Sequence, residues 1–590
     1  MANEITMPKL GLTMTEGTVS EWKKQEGDPV EKGEIILVVA TDKLTFEVEA
    51  EQSGVLAKIL VPAGSSAAVS DAVGIIAAPG EEVETSFPAA EEPVTKEKPV
   101  KIESETSASP EKKPVESSEM SEAGIGEGTS VLVIGAGPGG YVSAIRAAQL
   151  GADVTIVDRK YYGGTCLNVG CIPTKVLLHT VELFNAVKEG EMIGLKADNV
   201  EVDWSALMKR KEQVTAQLVG GVRSLLSSNG VKMLEGDASF ISDSEIRVSS
   251  SGKDQVLSPD YCIIAAGSEP VVPPVPGIDS KGVITSNEAL SLDKVPDSMT
   301  IVGGGVIGVE FASIFASLGT RVTIVEMLPE ILPNTDKEIV AVLKSVLAAK
   351  GVEILTSSKV TRFREENGSL VSEVKMSEGD REIITEKVLV SVGRKPSTST
   401  LGLENTGVKM DRAKIIIDKK MKTSVDSIYA IGDCCSPIML AHVASREGEV
   451  AAENIMGHKT VMDYKTNPGA VYTSPEIAWA GLTEEQAVEK GHNVKIGKFP
   501  LIANGKSLIM NETEGFIKFV VDEKYDEILG VHIIGPRATD LIVEAALALR
   551  LEATIDEIVT TIHAHPTIGE ALGEAALDVN NIAVHIPPRK

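Results

Sequence analysis

The chain has 590 residues, too many for one hydrophobic core, so several domains are expected. Apolar residues at 43% and charged residues at 24% exclude a wholly disordered chain. A formal charge of -28 repels phosphate backbones and aromatics at 4% leave few stacking platforms, which argues against a nucleic-acid partner.

The amino terminus, Met1-Ala2-Asn3-Glu4, lacks a basic start followed by an apolar run, and no later apolar stretch has membrane-spanning length. A cytoplasmic location without a membrane partner is expected. Residues 1–79 alternate short β-rich runs with glycine turns, as in Ile35–Val39 and Leu44–Val48 on either side of Thr41-Asp42-Lys43, which predicts a small all-β module. From 80 to 128 the composition turns to Glu, Pro, Lys, Ser and Ala with hardly any large apolar side chain. That segment cannot bury enough surface to offset its ordering entropy, so a flexible, rather extended linker is expected.

Beyond the linker a βαβ pattern begins. Val131–Ile134 runs into Gly135-Ala136-Gly137-Pro138-Gly139-Gly140 and a helical stretch, and Val154–Val157 then ends at Asp158. The plan returns 168 residues later: Thr300–Val302, Gly303-Gly304-Gly305-Val306-Ile307-Gly308, and Val322–Val325 ending at Glu326. In each turn the first glycine permits a tight bend, the second lets backbone approach a pyrophosphate, and the third lets helix and strand pack closely. Each first glycine is followed 23 residues on by an acid able to bond ribose hydroxyls, so two dinucleotide sites are expected. An acid at Glu326 would repel a 2′-phosphate, and no arginine directly follows it, which favours NAD over NADP.

Between the two turns lies Gly163-Gly164-Thr165-Cys166-Leu167-Asn168-Val169-Gly170-Cys171-Ile172-Pro173-Thr174-Lys175. With five cysteines in so long a chain, a disulfide scaffold is excluded and a close pair suggests redox or metal chemistry. Neither Cys262 nor Cys434-Cys435 offers a matching CxxC for zinc, so no metal is expected. A pair five apart on a turn entering a helix, with Gly170 as a backbone pivot, can close a disulfide, and the helix start would favour a thiolate. From about 469 onward new strands (516–521, 528–534) and a helical run (541–549) predict a separate α+β domain.

The cysteine segment resembles that of the dihydrolipoamide dehydrogenases, within the class I pyridine nucleotide-disulfide oxidoreductases. The resemblance extends over 129–590 in the family's order and includes Tyr429-Ala430-Ile431-Gly432-Asp433 and His563-Ala564-His565-Pro566-Thr567-Ile568-Gly569-Glu570. It implies an FAD-binding domain at 129–271 and 404–468, an NAD-binding domain at 272–403 and a dimerisation domain at 469–590. FAD would be held by Gly135, Gly137, Gly140, Asp158 and Asp433, and NAD by Gly303, Gly305, Gly308 and Glu326. Gly267 and Gly393 are further cofactor contacts, and Lys175, paired with Glu310, would stand at the reactive edge of the flavin.

The resemblance also implies Cys166 as the sulfur a dihydrolipoyl thiol attacks and Cys171 as the sulfur facing the flavin, which passes hydride to NAD. His565 is the base and Glu570 its orienter, reaching the partner's site in a homodimer. Two departures stand out: Ala266, where relatives usually carry Thr, and Asp158, often Glu. The residues alone would allow His565 to be a solvated loop histidine.

The module at 1–79 resembles a lipoyl domain, with Lys43 sixteen residues after Gly27 and eleven before Gly54 as the lipoate attachment site. Biotin carriers flank their lysine with methionines, and here Asp42 and Leu44 stand there. The expected role is thus the dihydrolipoyl-oxidising component of a 2-oxoacid or acetoin dehydrogenase complex, partnered by a lipoyl-bearing acyltransferase. A glutathione or mercuric reductase, or a lipoyl carrier with an inactive reductase portion, are the rivals.

Overall fold

The structure, a computed structural model, describes residues 3–7, 16–40, 45–50, 52–68, 71–77 and 128–588. Lys43 and the linker segment 80–127 lie outside the described residues. The chain divides into two units, Met1–Ser118 and Glu119–Lys590.

The first unit is all-β, as expected. One four-stranded sheet orders Asn3–Thr6, Ala72–Ala77, Gly54–Ile59 and Pro29–Val30; the other orders Thr45–Glu49, Ile35–Ala40, Glu16–Trp22 and Ser66–Ala68. Its core gathers Val19, Val30, Ile36, Leu37, Val39, Leu56, Val73 and Ile76. The strands flanking Lys43 in sequence pair antiparallel, Ala40 opposite Thr45.

The second unit repeats one plan twice. A five-stranded parallel sheet orders Lys232–Glu235, Asp153–Asp158, Ser130–Ile134, Tyr261–Ile264 and Ile428–Ala430. Another orders Val283–Thr285, Lys387–Val390, Ser298–Val302, Arg321–Val325 and Glu353–Leu355. Val131–Ile134 and Met299–Ile301 are buried throughout, the signature of parallel strands covered on both faces. The short ladder Ser268–Pro270 with Arg394–Pro396 carries the chain out of the first sheet's domain and back.

The last portion is an antiparallel sheet, Gly469–Val471, Glu476–Gly481, Ile528–Gly535, Phe516–Asp522 and Val494–Pro500, covered by helices Ala538–Arg550 and Glu570–Asp578. Val471, Ile477, Phe516 and Ile534 of that sheet share one core with Ile301, Phe311 and Ile324 of the second dinucleotide sheet and with Leu177 and Val181 of the helix Cys171–Lys188. The cysteine-bearing helix is therefore seated in the same packing as both neighbouring domains. Among the described residues no helix is long and apolar enough to cross a membrane.

Candidate active site

The glycine turns do what their spacing requires. Gly135 has φ +103°, and a Cβ there would lie 2.3 Å from Ala265 O; a Cβ on Gly140 would lie 1.9 Å from Gly135 O. A Cβ on Gly308 would likewise lie 2.0 Å from Gly303 O. The middle glycines differ: Gly305 faces open space, and Gly137 meets nothing nearer than Gly164 Cα at 3.8 Å. Each caps a 12-residue helix, Val306–Ser317 and Pro138–Gln149, and offers it no side-chain hydrogen bond. Backbone N–H groups and a helix start thus face unfilled space, the fit a pyrophosphate needs.

The acids are positioned alike. Ala136 N donates to Asp158 Oδ2 at 2.8 Å, and Gly304 N to Glu326 Oε2 at 2.6 Å. Both glycine turns and both acids line one cleft of about 1430 Å³, larger than the roughly 300–1,000 Å³ of a single small-ligand site. Gly267, Gly393, Asp433, Lys175, Glu310, Cys166 and Cys171 line it too, while Gly308 packs behind its turn. The cleft has room and donors for two dinucleotides.

The sequence predicts both cysteines on a turn entering a helix. Instead Cys166 sits within a short helix, Gly164–Val169, and Cys171 is the first residue of the next, Cys171–Lys188. Gly170 separates them with φ -148° and ψ -116°, and a Cβ there would lie 2.8 Å from Thr165 O, so the two helices can abut only through glycine. Cys166 is half-buried and Cys171 is exposed on the cleft.

Their proton affinities are split. The hydrogen bond from Cys166 holds Cys171 down at about 7, with the Lys175 charge helping against burial. The same hydrogen bond, then burial, pushes the Cys166 thiol up. Cys171 is therefore the more acidic sulfur of the pair, at a helix start where the macrodipole favours its thiolate.

Lys175 Nζ lies 2.9 Å from both carboxylate oxygens of Glu310, whose side chain is 5% exposed. Asp433 Oδ2 accepts from Ser268 Oγ at 2.5 Å, and Ser268 Oγ accepts from Arg394 Nε at 2.7 Å. Arg394 Nη2 also reaches Thr165 Oγ1 at 3.5 Å, beside the redox pair. The turn Gly432–Cys434 that presents Asp433 is braced by Glu447, fully buried, which accepts from Gly432 N and from Tyr464 OH, both at 2.6 Å. Burial pushes the Glu447 carboxyl up. Ser268, Arg394, Glu447 and Tyr472 escaped the sequence reading; only Arg394 carried a signal, standing directly after Gly393.

His565 Nδ1 bonds Glu570 Oε1 at 2.8 Å, and Glu570 Oε2 accepts from Thr567 N at 2.8 Å, so the dyad is formed. It does not line the cleft of its own chain, and the His565 side chain is 80% exposed. Among the described residues the cleft's one histidine is His442, bonded to Pro468 O at 2.9 Å.

The family model described as pyridine nucleotide-disulphide oxidoreductase matches residues 129–448. The chain belongs to that family. The family's dimerisation domain matches 467–576, and a model described as biotin-requiring enzyme matches 3–76. Dihydrolipoyl dehydrogenase of Geobacillus stearothermophilus is 42% identical over 450 residues, covering 76% of this chain and 96% of its own. That of Thermus scotoductus is 43% identical over 454 residues, covering 76% and 97%. Among solved structures, LpdA of Mycobacterium tuberculosis superposes with a TM-score of 0.72 at 25% identity, over 76% of this chain and 99% of that one. The HOCl-induced flavoprotein disulfide reductase RclA of Escherichia coli gives a TM-score of 0.68 at 28% identity, over 75% and 98%.

Proposed function

We propose that the chain is a dihydrolipoyl dehydrogenase, which oxidises the dithiol of a dihydrolipoyl group to its cyclic disulfide and delivers two electrons to NAD. The observation that carries this is Cys166 and Cys171 lining, with the Lys175–Glu310 pair, a cleft shared by two dinucleotide turns. Gly135, Gly137, Gly140, Asp158 and Asp433 hold FAD, and Gly303, Gly305, Gly308 and Glu326 hold NAD, with Gly267 and Gly393 on the cleft wall. FAD, when bound, relays two electrons from thiolate to nicotinamide.

In the oxidised enzyme a substrate thiolate attacks Cys166 Sγ, the Cys166–Cys171 bond breaks, and Cys171 leaves as the thiolate. The second substrate sulfur then attacks the substrate sulfur bonded to Cys166, closing the lipoyl disulfide and expelling Cys166 as a thiolate, which takes up a proton. A base must deprotonate the substrate thiols, because the thiolate is the nucleophile. His565, oriented by Glu570, is that base in a second copy of the chain. A homodimer fits the exposed apolar stripe Val543, Leu547 and Leu551, and Ile562, which is 97% exposed.

The amino-terminal module carries lipoate on Lys43, tethered through a segment of about 50 residues at a millimolar-scale effective concentration. With a lipoyl-bearing acyltransferase as partner, the chain serves a 2-oxoacid or acetoin dehydrogenase complex in the cytoplasm. The test offers the purified protein dihydrolipoamide or glutathione with NAD or NADP. Turnover with dihydrolipoamide and NAD is expected; preference for glutathione with NADP refutes the assignment, and an intact mass showing Lys43 bare refutes the lipoyl role.

A further inference from the structure

Tyr472 stands between the strands Gly469–Val471 and Glu476–Gly481 of the last domain, yet its side chain lines the cleft. It touches both members of the Lys175–Glu310 pair. Lys175 Nζ lies 4.3 Å from the centre of its ring, and its backbone N–H donates to Glu310 Oε1 at 3.0 Å. Glu310 is thus held from two sides, by an ammonium of the helix Cys171–Lys188 and by an amide of another domain. An ammonium over an aromatic face is drawn to the ring quadrupole, and more strongly where water is excluded. Without the ring, the four-carbon lysine stem has other staggered positions open to it.

We propose that Tyr472 is a positioning residue of the redox site: its ring caps the Lys175 ammonium, and with its N–H on Glu310 it fixes that charge at the flavin edge beside Cys171. This rests on Lys175 facing the flavin, as proposed above. A fixed positive charge there favours the electron-rich reduced ring and the Cys171 thiolate together. The hydroxyl plays no part, so phenylalanine should serve as well as tyrosine.

The experiment compares Tyr472→Phe, Tyr472→Leu and Lys175→Met in the full-length flavin-loaded protein by equilibrium titration of the bound flavin. Tyr472→Leu is expected to lower the equilibrium constant for reduction about tenfold, a potential ~30 mV more negative, with Tyr472→Phe at the wild-type value. A second reading needs no flavin. In a Cys166→Ser background, the pH midpoint of Cys171 alkylation should rise in Tyr472→Leu and Lys175→Met but not in Tyr472→Phe. If Lys175→Met shifts both readings and Tyr472→Leu neither, the positioning role falls and the site assignment stands. Equal losses in Tyr472→Phe and Tyr472→Leu also overturn it, because the ring would not be the active part. If Lys175→Met shifts neither reading, both ideas fall together.

Discussion

At the scale of single residues, the unequal acidity of the two sulfurs follows from one hydrogen bond and one helix start. Cys171, held near 7, is expected to alkylate in the reduced chain with a midpoint near pH 7, and Cys166 only at higher pH; peptide mass spectrometry after timed iodoacetamide treatment reads both. The sign is that of a depressed acid: the reactive thiolate is present above the midpoint and lost as pH falls through it. Cys171→Ser should abolish turnover while FAD stays bound, and full activity in that variant would refute the assignment. The cysteines, Lys175 and both acids were legible because each belongs to a short motif with fixed spacing. Tyr472 was not, since it meets Glu310 from 162 residues away, and Glu447 was not, since it reaches back 15 residues from the next helix to Gly432, and local pattern encodes neither contact.

At the scale of elements, the two dinucleotide turns were readable in full, because a strand, three glycines and a following acid each answer a separate steric or electrostatic demand. Gly308→Ala tests this. Its methyl would overlap Gly303 O, so the helix Val306–Ser317 must shift, at a cost of about 1–3 kcal/mol. The expected result is a raised KM for NAD, with FAD content and the spectrum of the bound flavin unchanged, checked by steady-state kinetics and absorbance. The short helix Gly164–Val169 was missed because six residues are fewer than two turns, too brief for a 3.6-residue apolar period to declare itself.

At the scale of the whole molecule, among the described residues of one chain the His565–Glu570 dyad is formed away from the cleft that the two sulfurs line, and the cleft's one histidine is His442. Mixing Cys166→Ser chains with His565→Ala chains distinguishes the arrangements. If the dyad serves a second copy, each hybrid dimer holds one intact site and recovers about half the wild-type rate per dimer. If it serves its own chain, the hybrids are as dead as either parent. The sequence disclosed the dyad through its resemblance to a family, since two histidines near a proline, taken alone, read more readily as solvent-facing loop residues or stray metal ligands.

The small β module and the reductase build cores that have no residue in common, Val19, Ile36 and Leu56 on one side and Phe311, Ile324 and Phe516 on the other. Damage therefore comes in two unlinked kinds. A bad substitution in the core of the module leaves the packing of the large core intact, and one in the large core leaves the packing of the module intact.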